Sequence, residues 1–307
     1  MIDSSRYPAL GKLLDGQLSI FPEHQSYLER RFAGADQVHL ELADQISDLI
    51  TRIARDHLDE IFEDYKWLTG VFVEEEVYFR RNGTYRLSSF EDAERTVYVD
   101  PVYMRKYMNG LLASEVWWHN HTNAIGFYKE TFLDCLPGSS RHLEVGPGHG
   151  LLLYLATQTE RCKSLTAWDV SAASLTNTRE ALSAMGVERD VKLEQYNIYD
   201  APDGEFDSIV FSEVLEHLEQ PLEALHVLRK LLTQDGRLYV HAPVNSPAPD
   251  HLYLFRTPEE VVSMVEEAGF DVIETRFYPI LGVPLERARA FDLGISTLVV
   301  ATPSEGA

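Results

Sequence analysis

The sequence predicts an α/β protein with a seven-stranded, doubly wound sheet, preceded by a mostly helical N-terminal region. Strand-like and helix-like segments alternate through the C-terminal half, which is the pattern of a parallel sheet covered by helices. A glycine-rich turn follows the first strand-like segment, and apolar residues before it recur at i, i+3 and i+4. We therefore expect a helical substrate or lid region with a small β-hairpin at residues 1–130, and a ligand-binding sheet domain at residues 131–307.

The N-terminal region begins with an apolar stripe that predicts an amphipathic helix packed into the core. The stripe consists of Val38, Leu42, Ile46, Leu49, Ile53 and Ile61. Further along, Asn82-Gly83 separates two strand-like runs, and both residues tolerate the positive φ of a type I′ turn, which predicts the hairpin. Residues 101–133 then carry Tyr, Trp, His and Asn at helical spacing.

The C-terminal half supplies the seven predicted strands, separated by helix-like segments. The strands are RHLEVGPG, LTAWDV, VKLEQYNI, FDSIVFS, GRLYVHAPV, DVIETRFYPI and STLVVAT. The helices are expected at 151–159, 172–185, 221–232 and 257–270. Pro221 suits the first turn of its helix, and Gly186 is a stop signal.

Charge and composition narrow the classes of partner. The chain has 49 Asp and Glu against 27 Lys and Arg, and its formal net charge of -22 repels nucleic acid and anionic lipid alike. No apolar run approaches the ~18 residues of a membrane helix. We therefore expect a soluble protein with a small-molecule substrate, and neither nucleic acid nor membrane as partner. Two cysteines and no recognisable secretion signal predict a cytoplasmic location, and the amphipathic helix makes a homodimer reasonable.

The glycine-rich turn LEVGPGHG is the strongest chemical signal in the chain. Glu144 precedes Gly146, Gly148 and Gly150 at a strand-to-helix junction, where glycines let backbone N–H groups approach a ligand closely. A dinucleotide site would place a pyrophosphate there, but the charge of Glu144 opposes one. S-adenosylmethionine (SAM) has an ammonium, a sulfonium and no phosphate, and fits better.

The strands that follow supply the other expected contacts with SAM. Asp169, at the end of the second strand, would accept hydrogen bonds from both ribose hydroxyls, and Asn197 would pair with the adenine edge. The complete set of predicted cofactor-binding residues is Glu144, Gly146, Gly148, Gly150, Asp169, Val170, Asn197, Ile198 and Ser212.

These motifs occur in an order that resembles class I SAM-dependent methyltransferases. The likeness covers residues 141–307 and includes the glycine motif, the acid of the second strand, FDSIVFSEVLEHLEQP and LRKLLTQDGRLYVHAPV. This likeness implies a Rossmann-like fold. Within the family, the chain resembles most the small-molecule type, in particular the ubiquinone-biosynthesis O-methyltransferase group. Asn197 departs from the family pattern, since many relatives have Asp there, although an amide can still bond adenine.

A second constellation follows the fourth strand. On a predicted helical turn, Glu213, Glu216 and His217 stand at i, i+3 and i+4, so they can face one divalent cation. The later segment DHLYLFRTPEE supplies His251 and is similar to a region of ubiquinone-pathway and small-RNA methyltransferases. That resemblance implies Glu213, Glu216, His217 and His251 as ligands of Mg²⁺ or another divalent cation. The alternative is a structural role, with the His and the second Glu paired locally.

Candidate catalytic groups are those that can take a proton from an acceptor. They are His217, His241, His251 and Glu213. A lone strand histidine such as His241 is more usually a core residue. The resemblance implies that N-terminal helices close the substrate chamber, so Tyr103, Tyr107 and Trp118 are candidate substrate contacts, with a place in the core as the alternative.

The function expected from these residues is methyl transfer from SAM to oxygen, nitrogen or carbon of a small molecule in secondary or cofactor metabolism. Two other functions stay open. One is a SAM-dependent cyclase or decarboxylase of the same fold, without net methyl transfer. The other is a non-catalytic SAM-binding subunit that regulates a partner.

Overall fold

A computed structural model describes residues 2–305, and its first part is helical. The helices before the sheet are α1 (Pro8–Ile20), α2 (Gln25–Phe32), α3 (Gln37–Ala54), α4 (Leu58–Asn82), α5 (Phe90–Ala93), α6 (Pro101–Trp117) and α7 (His119–Phe127). Two π-helical turns, Glu94–Tyr98 and Tyr128–Phe132, follow α5 and α7. Within residues 2–305, no helix is long and apolar enough to cross a membrane.

The predicted apolar stripe is divided between two helices. Ile46 and Leu49 lie buried on α3, as expected, but Val38 is 62% exposed near the helix start. Helix α3 ends at Ala54, because the next residue, Arg55, has φ 51, and Ile61 therefore belongs to α4. The stripe is interrupted because a left-handed residue cannot continue an α-helix.

The predicted β-hairpin is wrong. Residues 77–82 form the last turns of α4, and Gly83, with φ 72, ends that helix by donating its N–H to the Phe79 carbonyl. An Asn-Gly pair satisfies a helix C-terminus as well as a hairpin turn, because both require a positive φ. The preceding residues continue the long helix instead of forming a strand.

The sheet has seven strands in the order β3-β2-β1-β4-β5-β7-β6, which confirms the predicted fold class. The strands are β1 (Ser140–Val145), β2 (Cys162–Asp169), β3 (Lys192–Gln195), β4 (Phe206–Ser212), β5 (Leu232–Val244), β6 (Phe270–Pro279) and β7 (Ile295–Pro303). β7 runs antiparallel to β5 and β6. The helices between strands are α8 (Leu151–Thr157), α9 (Ala172–Ala184), α10 (Pro221–Leu231), α11 (Pro258–Glu267) and α12 (Leu285–Ala290).

Both faces of the sheet are covered, as the alternation of buried strand residues shows. In β4, Val210 packs with the N-terminal helices, whereas its neighbours Ile209 and Phe211 pack with α10 and α11. Successive strand residues point to opposite faces, so a strand buried on both sides is apolar throughout. The N-terminal helices therefore replace solvent on one face of the sheet, and α6 and α7 reach its carboxyl edge.

His142 in β1 makes the fold sensitive to acid. It is fully buried, its Nδ1 lies 2.9 Å from Ser208 Oγ, and burial lowers its pKa to about 3. Since the folded-state pKa lies below the unfolded value of about 6.5, its contribution to stability is complete above pH 6.5 and is lost as the pH falls toward 3. When the pH falls from 7 to 5, the unfolding free energy should decrease by ~2 kcal/mol less in His142→Asn than in wild type. Urea titration at the two pH values measures this difference. An identical pH dependence in both proteins would contradict this.

Candidate functional site

A cavity of about 2130 Å³ opens at the carboxyl edge of the sheet, beneath α6 and α7. Its floor is formed by the residues that follow or end β3, β2, β1, β4 and β5, in that spatial order. Ligand pockets in open α/β sheets lie at this edge. A pocket for one drug-sized ligand has about 300–1,000 Å³, so the cavity has room for two molecules side by side.

The glycine loop forms the centre of the floor. Gly146 has φ 72 and donates its N–H to the Trp168 carbonyl at 2.8 Å, which fixes the loop against β2. Glu144 is 3% exposed, its Oε2 has no hydrogen-bond partner within residues 2–305, and burial raises its pKa. A buried carboxyl oxygen without a partner beside a backbone cradle suits a ligand that donates hydrogen bonds.

Asp169 and Asn197 lie further along the floor. The Ser171 N–H and the Ser174 hydroxyl donate to Asp169 at 2.8 and 2.6 Å and orient its carboxylate. Asn197 Oδ1 accepts from the Tyr199 N–H at 3.1 Å, which leaves its amide nitrogen to donate to a ligand. Of the predicted cofactor-binding residues, all except Gly150 line the cavity. Gly150 is instead the N-cap residue that precedes α8.

A contact that the sequence analysis missed joins the N-terminal region to the glycine loop. Glu115 of α6 lies 3.1 Å from His149 Nε2 in the loop and 3.7 Å from His121 Nδ1 of α7. Burial alone would raise the pKa of Glu115, but these two imidazoles lower it below its usual value. His121 lines the cavity, whereas His119 stacks on His39 of α3. His149 stands inside the glycine motif and could have been noticed, but nothing in the sequence marked Glu115.

The ends of β4 and β5 hold a second carboxylate–imidazole pair. His241 is 4% exposed, with Nδ1 3.3 Å from Ser212 Oγ and Nε2 2.8 Å from Glu213 Oε1. Each imidazole nitrogen thus lies close to a side-chain oxygen, although the Nε2–Oε1 contact lacks hydrogen-bond geometry, and the Glu213 side chain, 36% exposed, presents the pair to the cavity. Burial alone would raise the pKa of Glu213, but the nearby His241 imidazole lowers it.

The segment after β4 differs from the predicted helical turn. Glu213 has φ 53, and only Leu215–His217 forms a 3-10 turn, so Glu213 and Glu216 are not one α-helical turn apart. Glu216, His217 and His251 nevertheless bring one ligand atom each within 4.8 Å of one another. Glu213, the fourth predicted ligand, does not bring an oxygen within 4.8 Å of all three, and its Oε1 lies 2.8 Å from His241 Nε2.

The two imidazoles of this cluster are oriented for a cation. His217 Nδ1–H donates to the Asp250 carbonyl at 3.0 Å, and His251 Nδ1–H donates to the Ser246 carbonyl at 2.7 Å. Because a carbonyl only accepts, each neutral ring keeps its Nε2 lone pair for another partner. Metal-binding histidines are fixed in this way by a bond from the other ring nitrogen.

Glu216 would supply the matching negative charge when a cation is bound. It is fully buried, and neither carboxylate oxygen has a hydrogen-bond partner within the described chain. Burial and the neighbouring charge of Glu213 raise the pKa of Glu216, while burial lowers that of His251 to about 4. Two imidazole nitrogens and a buried carboxylate form a donor set that suits Mg²⁺, Mn²⁺ or Zn²⁺.

Aromatic side chains of the N-terminal region form the roof. Tyr107 and Trp118 line the cavity with Phe72, whose ring lies 5.2 Å from the Trp118 ring. Tyr103, the third predicted substrate contact, does not line the cavity. It packs edge-on against Trp67, with ring centroids 5.0 Å apart, because its position on α6 directs it toward α4.

Comparisons with known proteins agree with this fold. Residues 143–238 match a family model described as a methyltransferase domain. A ubiquinone biosynthesis O-methyltransferase of Alkalilimnicola ehrlichii is 28% identical over 142 residues, 45% of this chain and 56% of that protein. The apo structure of the SAM-dependent methyltransferase SibL gives a TM-score of 0.55 at 15% identity, covering 81% of this chain and 74% of that one. The mitomycin 7-O-methyltransferase MmcR gives 0.54 at 14% identity, covering 84% and 73%.

The matches to curated relatives span only part of those proteins, between 25% and 56% of their length. The structural neighbours at this identity establish the fold. Together these findings confirm the resemblance to class I SAM-dependent methyltransferases.

Proposed function

We propose that this chain, which carries a class I SAM-dependent methyltransferase domain, transfers a methyl group from SAM to oxygen, nitrogen or carbon of a small-molecule acceptor. One observation carries the proposal: the buried, partner-free Glu144 oxygen lies beside the glycine loop, with Asp169 further along the same floor. A pyrophosphate would meet a carboxyl group there, whereas the ammonium and ribose hydroxyls of SAM donate hydrogen bonds.

We infer the positions of the two ligands from the strand order. Asn197, Asp169 and Glu144 follow one another across β3, β2 and β1, which suits adenine, ribose and the amino-acid end of SAM in that sequence. SAM, when bound, supplies an electrophilic methyl group on its sulfonium. The acceptor would then lie over β4 and β5, under the aromatic roof that excludes water.

Glu213 is the group best placed to take the proton of an acceptor. It faces the cavity, while His241 is buried with its Nδ1 3.3 Å from Ser212 Oγ and its Nε2 2.8 Å from Glu213 Oε1. We therefore assign His241 to positioning Glu213. The pairing keeps Glu213 ionised, so it accepts a hydrogen bond from a hydroxyl or amine and orients it toward the methyl group.

We further propose that Glu216, His217 and His251 hold a divalent cation. The partner-free carboxylate and the two free Nε2 lone pairs support this site. A cation held there would polarise an acceptor oxygen and lower its pKa. The alternative is local pairing without metal, yet the 3.8 Å distance between His217 Nε2 and Glu216 Oε1 is too long for a hydrogen bond.

The test combines binding and turnover with the full chain. Calorimetry should show binding of S-adenosylhomocysteine (SAH), and a panel of phenols, amines and activated carbon acids should yield a methylated product by mass, with Mn²⁺ or with EDTA. Acceptor consumption without a mass gain of one methyl group would support the cyclase or decarboxylase alternative. SAM binding with no SAH released from any acceptor would support a regulatory subunit.

Glu115 provides a prediction about the amino-acid end of SAM. Its carboxylate and the imidazoles of His121 and His149 lie over β1, where the ammonium and carboxylate of SAM would lie. We expect Glu115→Gln to weaken SAH binding about tenfold, the ~1.4 kcal/mol of one charge-assisted hydrogen bond. Methylthioadenosine, which lacks the amino-acid end, should bind the variant as it binds wild type. Equal weakening of both ligands in calorimetry would show a structural role instead.

A further inference from the structure

Asp250 connects the N-terminal region to the candidate cation cluster. It is 3% exposed and lies in the loop between β5 and α11. Its two carboxylate oxygens accept hydrogen bonds from the Tyr107 hydroxyl at 2.8 Å and the Tyr98 hydroxyl at 3.2 Å. These tyrosines lie 143 and 152 residues earlier in the chain, so the contact joins the roof of the cavity to its floor.

The same residue holds His217. The main-chain carbonyl of Asp250 accepts the Nδ1–H of His217, and its Oδ2 lies 3.6 Å from that nitrogen. The Glu216 carbonyl in turn accepts the N–H groups of Leu252 and Tyr253 at 2.8 and 2.9 Å. The two loops that carry the candidate ligands are therefore bound to each other at Asp250 and at the residues two and three positions after it.

The segment that bears Tyr98 is attached to the sheet domain at both ends. We define the lid segment as residues 89–100, which contain α5 and the π-helical turn Glu94–Tyr98. The Phe90 N–H donates to Glu219 Oε1 at 2.6 Å, and the Tyr98 hydroxyl donates to Asp250. Single π-helical turns occur often at functional sites, because they displace a side chain from regular helical spacing.

We propose that Asp250 is a positioning residue for the cation site, and that Tyr98 and Tyr107 hold it in place when the lid segment covers the cavity. This inference rests on the cation site proposed above. A buried carboxylate needs donors on its oxygens, and the two phenols supply them. With these donors present, the loop presents its carbonyl to His217, which directs the Nε2 lone pair of that residue at the cluster.

A consequence is that cation binding and lid closure favour each other. If the closed lid segment strengthens cation binding, the cation must stabilise the closed segment by the same factor. The N-terminal region would then help to position the cation ligands as well as cover the acceptor.

The test uses the full chain with SAH bound and measures Mn²⁺ by calorimetry. Tyr107→Phe and Asp250→Asn should each weaken Mn²⁺ binding about tenfold or more, the range for partners of metal-binding histidines. SAH affinity should stay within about twofold in both, because neither residue contacts the predicted SAM residues. The control is Tyr27→Phe, which removes a phenol that donates to the Trp117 carbonyl at 3.1 Å, far from the cluster. It should change neither affinity.

A second measurement separates positioning from loss of fold. Mn²⁺ should slow amide hydrogen exchange in residues 89–100 of wild type and of Tyr27→Phe, but not of Asp250→Asn. Unchanged Mn²⁺ affinity in both test variants, or equal weakening of Mn²⁺ and SAH, would overturn the inference while leaving methyl transfer intact. A wild type that binds SAH but no Mn²⁺ would overturn it together with the cation site. A wild type that binds no SAH would overturn the proposed function itself.

Discussion

Replacing Glu216 by glutamine should abolish Mn²⁺ binding and leave SAH affinity within about twofold of wild type. Glutamine has nearly the same volume, so it fills the same buried space without the charge that a divalent cation needs. We expect the loss of Mn²⁺ affinity to exceed about 100-fold, because a buried charge pair broken on one side costs ~3 kcal/mol or more. Calorimetry with Mn²⁺ and SAH measures both affinities, and a variant that binds Mn²⁺ as wild type does would remove Glu216 from the site.

The same substitution should make the cation-free protein more stable. Both Glu216 oxygens are buried without hydrogen-bond partners, and Glu213 and Asp250 carry nearby negative charge. A buried carboxyl group without partners must either stay charged in an apolar site or take up a proton above its usual pKa, and both cost free energy. Glutamine avoids this cost, so we expect a gain on the order of 1 kcal/mol in unfolding free energy. Mn²⁺ should then raise the melting temperature of wild type but not that of the variant.

Glu75 is the matched control for this stability effect. It is also buried, but Arg86 Nε lies 2.9 Å from its carboxylate. Glu75→Gln removes a satisfied charge, so it should destabilise the protein by about 1–3 kcal/mol and leave the Mn²⁺ response intact. Opposite signs for the two glutamate variants would distinguish a site prepared for a cation from ordinary buried pairing. Equal destabilisation would mean that Glu216 has a stabilising partner after all.

The sheet and the glycine loop could be predicted because their signals are local. Each strand is a short apolar run with turn residues at its ends, and the loop from Glu144 to Gly150 occupies seven consecutive positions of the sequence. The prediction of a hairpin at Asn82-Gly83 was wrong because its signal is also purely local. A local pair of residues serves two structures equally well, and the long helix α4 decided between them.

Contacts between distant segments could not be predicted in this way. The positive φ of Glu213 turns its carboxylate toward His241, and no helical spacing rule contains that turn. Glu115 and Asp250 each meet partners from another part of the chain, so neither belongs to a motif. The cluster of Glu216 and His251 was inferred through a family resemblance, which carries three-dimensional information that spacing lacks.

Substituting alanine for Gly146 should weaken SAH binding about 100-fold, or ~3 kcal/mol. Gly146 has φ 72, and a Cβ built there would lie 2.7 Å from Val214 Cγ2. The left-handed conformation costs an alanine ~1–2 kcal/mol, and the clash forces either the loop or Val214 to move. A β-branched side chain has few rotamers to escape into, so the loop moves and its N–H groups leave the positions that face the ligand. Calorimetry with SAH measures the loss.

Gly186 separates the two costs. It follows α9 with φ 84, and a Cβ there would meet nothing within 4 Å. Gly186→Ala should therefore lower the unfolding free energy by ~1–2 kcal/mol, which is the cost of the left-handed conformation without any clash. The same conformational cost is expected in Gly146→Ala. SAH affinity should be unchanged in Gly186→Ala. Adding Val214→Ala to Gly146→Ala removes the clashing methyl group and should restore part of the SAH affinity. Since alanine at 214 cannot change the φ of residue 146, the restored part measures how far the clash displaces the loop. Wild-type SAH affinity in Gly146→Ala would mean that this loop does not hold the ligand.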